Sequence, residues 1–530
     1  MRIYPTILSQ RVAGVAVAAV LSGCAMRPAS PEIPAVDMPL ADMLTEARAP
    51  NGAFISWREH LIDAEDVNGG VAIRGGDGLV IGDLDRDGFP DIISVHEDSG
   101  HIRIAFGGQD PREWTLVTLT HGAGAAAVED VAIGDLNQDG WLDIIAACED
   151  AHLIYFENPG TDIRTTQWDS IIPEITQNRG SWLRVFMADM NGDGALDITA
   201  ANKGAADIID PAVADGIASS TSLFLIDGTP LEQASWREQI LLRKGIANTA
   251  MPVDIDGDGD LDVLAASRNE EVMFLLENNA TLPDETLEIT EHKIQIKAGF
   301  EPPEGWRGLA NAFQSEFADL DGDGRLDLVV NAHEAAPGML PHFGLVWLQQ
   351  PASLDDPWTL NRIGHVMPDW IAGIRMADID SDGDLDVVAG GYSGLNILAG
   401  AYSGAPRLQD DPGAIASDTV GRIAWFENPG HPNTDKEWRR HDISRRVRDM
   451  NDAFVPIDLD SDGDLDLVST RGNSGDLDGV FWLEQVRSQE ARPNFTAARE
   501  TDSRQLPPPP EDWPATYRQD RTFKPASNTE

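Results

Sequence analysis

Residues 81–93 read IGDLDRDGFPDII: Asp83, Asp85, Asp87 and Asp91 fall within nine residues, Gly88 sits among them, and an apolar run follows at once. Carboxylates this close repel one another, so the stretch is unfavourable unless something neutralises it. The β-branched run after Asp91 predicts a strand. The acidic loop is therefore expected to join two strands as a hairpin.

The spacing indicates what neutralises it. Side chains at loop positions 1, 3 and 5 turn inward, a glycine at position 6 permits the sharp bend, the carbonyl of position 7 adds an oxygen, and Asp91 at position 9 closes the shell. Hard oxygen donors in this number suit calcium. The loop is not an EF-hand, because position 12 is Ser94 and the flanks read as strands.

The pattern occurs seven times, beginning at Asp83 (DLDRDGFPD), Asp135 (DLNQDGWLD), Asp189 (DMNGDGALD), Asp254 (DIDGDGDLD), Asp319 (DLDGDGRLD), Asp378 (DIDSDGDLD) and Asp458 (DLDSDGDLD). The candidate ligands of the first loop are Asp83, Asp85, Asp87, Asp91 and the Phe89 carbonyl. Those of the second are Asp135, Asn137, Asp139, Asp143 and the Trp141 carbonyl; of the third, Asp189, Asn191, Asp193, Asp197 and the Ala195 carbonyl. The fourth offers Asp254, Asp256, Asp258, Asp262 and Asp260, and the fifth Asp319, Asp321, Asp323, Asp327 and the Arg325 carbonyl. Asp378, Asp380, Asp382, Asp386 and Asp384 make the sixth, and Asp458, Asp460, Asp462, Asp466 and Asp464 the seventh. Up to seven calcium ions are expected, held less tightly where Asn137 and Asn191 each remove a charge.

Successive copies start 52, 54, 65, 65, 59 and 80 residues apart. Such intervals are too irregular for identical coils and fit blades with loops of different length. Two elements recur in phase. One is an apolar strand stopped by a polar turn: LIYFENPG (153–160), FLLENN (274–279), VWLQQP (346–351) and IAWFENPG (423–430). The other is a strand begun by tryptophan, at Trp57, Trp114, Trp168, Trp236, Trp358 and Trp438, with residues 287–294 standing in without one.

Four strands per repeat and seven repeats predict an all-β, seven-bladed β-propeller of four-stranded antiparallel blades. The seventh repeat lacks a tryptophan strand, whereas Trp57 precedes the first loop without a repeat of its own. An N-terminal strand is therefore expected to complete the last blade and remove the open edge.

DxDxDGxxD loops between strands, repeated at this interval, resemble the FG-GAP or VCBS repeat family, related to the integrin α-chain propeller, over roughly residues 51–487. The resemblance implies the propeller and the calcium, and leaves activity open, because one propeller architecture hosts many functions.

The first residues have the order of a signal peptide: Arg2 and Arg11, the apolar run VAGVAVAAV, then Leu21, Ser22, Gly23 and Cys24. This resembles a bacterial lipoprotein signal, in which Cys24 is lipidated and heads the mature chain. With Ala25 and not Asp next, the resemblance implies the outer membrane of a Gram-negative envelope. The expected organisation is a signal peptide over 1–23, a flexible tether over 24–50, the propeller over 51–487 and a Pro-rich, disordered polar tail over 488–530. The apolar run is too short to span a bilayer, so membrane contact is expected through the lipid alone. Cys148 is then the one remaining thiol, which excludes an intramolecular disulfide.

A net charge of -50 from 89 acidic and 39 basic residues excludes nucleic acid as a partner of the globular surface. Part of that charge belongs to the acidic loops. On the face opposite those loops, Trp182, Trp306 and Trp370 are expected near Arg268, Arg307, His333, Glu334 and Arg471. Aromatic faces with charged neighbours there suit a glycan, or a protein segment as the alternative. The leading expectation is a calcium-stabilised binding or scaffolding module of the cell envelope. A carbohydrate-active enzyme of the polysaccharide lyase or sugar dehydratase type is the second, with His96–Glu97 and His333–Glu334 as its acid–base candidates. An adhesion or envelope-assembly protein is the third. No HxH, HExxH or GxSxG pattern singles out a catalytic residue.

Overall fold

The computed structural model describes residues 39–507 apart from 150, 165–166, 205–217, 269, 281–282, 284–285, 338–341, 367–368, 393–419, 431–436, 448–449, 473–477 and 500–503. Each aspartate loop joins the first strand of a sheet to the second. In the first blade these are Gly76–Gly82 and Asp91–His96, followed outward by His101–Phe106 and Thr115–His121. The order is strictly sequential and antiparallel, as short connections dictate. The same four-strand order recurs from Val128, Ser181, Ala247, Arg307 and Trp370, giving an all-β propeller of seven blades.

In the last sheet, Phe454–Ile457, Asp466–Arg471 and Gly479–Ser488 are followed by Phe54–Asp63, which pairs antiparallel with the third strand in a register that sets Trp57 opposite Gln485. The fifth blade carries one extra strand, Ile296–Ala298, parallel to Trp358–Gly364.

The core is divided among the gaps between blades. Strands alternate their side chains between two faces, so each blade offers one apolar face to either neighbour. Ile93, Ile104 and Phe106 of the first blade meet Val131, Ile144 and Phe156 of the second. Tyr155 and Trp182 fill the next gap, Leu223 and Phe274 the one after, and Leu275 with Trp358 the fourth. Trp347 with Phe426, then Trp425 with Phe481, fill the fifth and sixth. Between the last blade and the first lie Ile62, Leu79, Ile92 and Trp482.

The outer-strand tryptophans explain their own recurrence. Trp57, Trp114, Trp168, Trp236, Trp358 and Trp438 are all buried. In three of them the indole N–H reaches a carbonyl of the chain just before the strand: Trp114 to Pro111 at 3.0 Å, Trp168 to Ile163 at 3.2 Å and Trp236 to Pro230 at 2.7 Å. Such an acceptor satisfies the buried indole N–H in these three. In the fourth blade Leu287 occupies this place, buried, its backbone exchanging hydrogen bonds with the Gln239 amide.

The segments flanking the ring, expected as a tether and a polar tail, have described parts that pack. Leu40, Ala47 and Ala49 are buried, as are Phe495 and Leu506. Phe495–Thr496 adds to the last sheet beside Trp57 and Arg58, and the Leu40 amide donates to Leu506 at 3.0 Å. The apolar residues are isolated in polar sequence and carry no periodicity, so their burial is not visible to pattern. Residues 1–38, which include the expected signal peptide and Cys24, and residues 508–530 lie outside the described residues.

Candidate metal centres

The acidic loops share one pattern of hydrogen bonds, from which the fourth departs in that the Gly257 amide donates to Asp254 at 2.9 Å. In the first, Asp83 accepts the Asp87 amide at 3.1 Å and the Gly88 amide at 3.1 Å, Asp85 accepts Asp87 at 3.2 Å, and Asp87 accepts Phe89 at 2.9 Å. The same bonds recur in the second loop from Asp139, Gly140 and Trp141, and in the third from Asp193, Gly194 and Ala195. Loop amides thus turn the position 1, 3 and 5 carboxylates inward. This requires left-handed backbone at two places. Position 6 is always glycine, at φ 88° in Gly88 and 98° in Gly259. Position 4 is left-handed too, and it is glycine in only three loops; Arg86, Gln138, Ser381 and Ser461 hold φ of 59° to 66° there.

The position 9 aspartate is the structural anchor. One oxygen of Asp91 accepts the Leu84 amide at 2.8 Å and the other accepts Gly107 at 3.1 Å, tying the loop to the end of the third strand. Asp262 repeats this with Ile255 and Asn278, Asp386 with Ile379 and Asn428, and Asp466 with Leu459 and Gln485. Burial pushes these carboxyls up despite the amides: to about 6 at Asp143, about 7 at Asp91, Asp197, Asp262 and Asp327, and about 8 at Asp386 and Asp466. Without a cation, the loops therefore hold their fourth charge at a cost.

In at least four loops, carboxylate oxygens of three aspartates lie within 4.8 Å of one another: Asp83, Asp85 and Asp91; Asp254, Asp256 and Asp262; Asp319, Asp321 and Asp323; and Asp378, Asp380 and Asp386. Buried Oδ1 atoms of Asp260, Asp460 and Asp464 have no hydrogen-bond donor. Converging, partly orphaned hard oxygens fit a calcium-sized cation. Protein cations meet some of this charge: Arg164 lies 2.6 Å from Asp85, Arg487 lies 3.4 Å from Asp464, and Arg325 contacts Asp323.

The family model described as an FG-GAP-like repeat matches residues 83–146, 135–200 and 254–330, each match spanning acidic loops of this geometry. The chain carries FG-GAP-like repeats. The FG-GAP matches begin at the position 1 aspartates Asp83, Asp135 and Asp254. No curated protein matches the chain. Among solved structures, one provisionally assigned as a gluconolactonase aligns over 84% of this chain and 98% of its own at 9% identity, with a TM-score of 0.36, a loose likeness.

The residues expected on the face opposite the acidic loops do not all meet there. Trp182 is wholly buried, its indole donating to Thr176 at 2.9 Å and its ring 5.6 Å from Phe224. It fills a blade gap, packed in one apolar cluster with Tyr155, Phe224 and Trp236. Glu334 is wholly buried as well, accepting Trp306 Nε1 at 3.0 Å and Arg362 Nε at 2.8 Å. Arg471 is enclosed 3.8 Å from Glu59. Arg268 and Arg307 are exposed, the former bonded to Asn248 at 3.0 Å and lying over the Phe313 ring. His333 is half-buried, 3.7 Å from Glu271. The Trp370 side chain lies outside the described residues. Of the acid–base pairs, His96 is wholly buried against Ser94 at 3.0 Å, its pKa pushed down to about 3 by burial.

One recurring device escaped the sequence reading. The amide that ends the third strand reaches back to the preceding blade: Asn158 to the Leu84 carbonyl at 3.1 Å, Gln350 to Ile255 at 3.0 Å and Gln485 to Ile379 at 3.0 Å. Its signal is the Asn or Gln in FENPG, LQQP and LEQ, which reads as turn chemistry alone.

Proposed function

We propose that the protein is a calcium-stabilised binding or scaffolding module, held in a Gram-negative cell envelope by a lipid on Cys24. Position 1, 3, 5 and 9 side chains with the position 7 carbonyl would hold the ions. Bound calcium would supply charge neutralisation and a cross-link between the first two strands of each blade. The observation that carries this reading is the convergence of acidic oxygens in the FG-GAP-like loops, several buried and without donors. Each site filled at a hundredfold excess over its Kd contributes about 2.7 kcal/mol of stability.

Chelation with EDTA is the test of the calcium. A melting temperature that falls steeply and recovers on adding calcium is expected; an unchanged curve refutes the metal reading. For the anchor, Cys24→Ser releases the protein from membranes, and continued sedimentation with them refutes lipidation at that residue.

A ligand, glycan or protein segment, is assigned to the face opposite the loops. Arg268, Arg307, His333 and the edge of Trp306 are the accessible members of the expected set, while Trp182, Glu334 and Arg471 support from within. A glycan array probed with the protein and with Trp306→Ala and Arg307→Ala variants tests this; binding unchanged in both variants places the ligand elsewhere.

A further inference from the structure

Three blades carry a side-chain pair that sets them apart. In the fourth, His292 Nε2 lies 2.5 Å from Glu277; in the sixth, His441 Nε2 lies 2.7 Å from Glu427; in the seventh, His60 Nε2 lies 2.6 Å from Glu484. The register is the same each time. The glutamate is on the third strand, and the histidine is on the outer strand opposite the residue two places before it: Leu275, Trp425 and Trp482. His441 and His60 are fixed by stacking on Trp425 at 4.3 Å and Trp482 at 4.4 Å, and His292 by Asp355, 2.8 Å from its Nδ1. Arg58 takes the other oxygen of Glu484 at 2.7 Å. At the matching outer-strand place the other blades have Val117, Ile171, Gln239 and Asn361.

The place these glutamates occupy adjoins the acidic loop. Each immediately precedes the residue whose backbone amide donates to the position 9 aspartate: Asn278 to Asp262, Asn428 to Asp386 and Gln485 to Asp466, all at 2.8 Å. In the fifth blade Gln350 donates in the same way to Asp327, and Gln349 holds the place before it. The Gln349 side-chain amide donates to Asp321, the position 3 ligand, at 2.5 Å. A side chain at this place therefore reaches the loop. Position 7 comes against the same stretch: Arg325 donates to the Gln350 carbonyl at 3.3 Å, Arg487 lies 3.4 Å from Asp464, and a Cβ on Gly430 would stand 3.0 Å from Asp384.

The loop sequences divide the blades in the same way. Position 7 is Asp260, Asp384 and Asp464 in the fourth, sixth and seventh loops, and Phe89, Trp141, Ala195 and Arg325 in the rest. The loops with a fifth aspartate are thus the ones beside a histidine-held glutamate, whereas Arg325 goes with the neutral Gln349. Added negative charge beside a loop that already repels itself is unfavourable for packing alone and favourable for a bound cation. The histidine bond fixes the carboxylate's orientation, as outer partners do around metal ligands.

We propose that Glu277, Glu427 and Glu484, each oriented by its histidine, are positioning residues for the cations of their loops, and that these three sites bind calcium more tightly than the other four. The inference rests on the calcium reading of the repeats.

Equilibrium dialysis of the protein against buffers of falling free calcium tests this, with bound calcium counted per chain. The native chain is expected to keep three ions after four have left. Glu277→Gln/Glu427→Gln/Glu484→Gln removes charge without volume, and affinity at those three sites should fall about 10–100-fold with the other four unchanged. Glu427→Gln alone, a milder change, should cost one tight site and serves where the triple variant does not fold. His441→Ala should weaken the same site, and His441→Gln, which keeps a donor for Glu427, should restore it. A merely structural role would also lower the melting temperature in EDTA, where the triple variant is expected to melt no lower than the native chain. Seven ions leaving together, three tight sites surviving the triple substitution, or a lower melting temperature in EDTA would each overturn the inference and leave the calcium reading standing. No calcium bound at all would refute that reading, and this inference with it.

Discussion

The Gln485 side-chain amide donates to the Ile379 carbonyl at 3.0 Å, so the last blade grips the acidic loop of the blade before it. The same nitrogen reaches Leu465 in its own loop at 3.0 Å, and the Gln485 backbone amide donates to Asp466 at 2.8 Å. One residue therefore links two candidate metal centres. Gln485→Ala removes the side-chain donor of the Leu465 carbonyl and one of two donors of Ile379, which Arg487 also reaches at 3.3 Å, and should cost about 1–3 kcal/mol. Asn428→Ala, whose side-chain amide bonds Leu385 and Gly430 of its own blade, is expected to cost less. Urea midpoints of the two variants check the order.

The left-handed positions of the loops give opposite expectations for glycine. Gly88 stands at φ 88° with open space around it, so Gly88→Ala tests conformation alone and should destabilise by about 1–2 kcal/mol. Ser461 holds φ 61° without glycine, and Ser461→Gly should relieve part of the same strain. Thermal melts at fixed calcium measure both, and a Ser461→Gly variant less stable than the native chain would contradict the account.

Much of this architecture was legible because it repeats. Seven acidic loops, aromatic strands and tryptophan strands fixed blade number and strand order, since turn chemistry and period-2 patterning act locally. Contacts between distant residues were not legible. Trp182 has the composition of a ligand platform and is instead gap filling, and Glu334 is the buried partner of Arg362.

Arg103 and Asp63 form a buried ion pair at 2.7 Å, joining the third strand of the first blade to Phe54–Asp63. Burial raises Asp63, and the Arg103 guanidinium opposes that shift. Arg103→Leu strands a carboxylate in the interior, at about 3–5 kcal/mol. Adding Asp63→Leu should recover much of the loss, and a double variant no better than the single would show that packing, not charge, dominates there.

His152 supplies a pH test. It is 8% exposed, donates from Nε2 to the Gly124 carbonyl at 3.2 Å, and is held below its ordinary pKa by burial. Its neutral form contributes fully above about pH 6.5. That contribution is lost as pH falls toward the lower folded value, because the unfolded chain then binds the extra proton. Between pH 7 and about pH 5, His152→Gln should lose less stability than the native chain. Denaturation at the two pH values, compared between the proteins, isolates the residue from the many acids that titrate alongside it.

Because apolar matter lies in the gaps and not inside any one sheet, no repeat owns a core of its own. Excising a blade would bare two greasy flanks at once, so length is free to vary only along the rim. The uneven spacing of the acidic loops, from 52 to 80 residues, is then the record of where growth was tolerated.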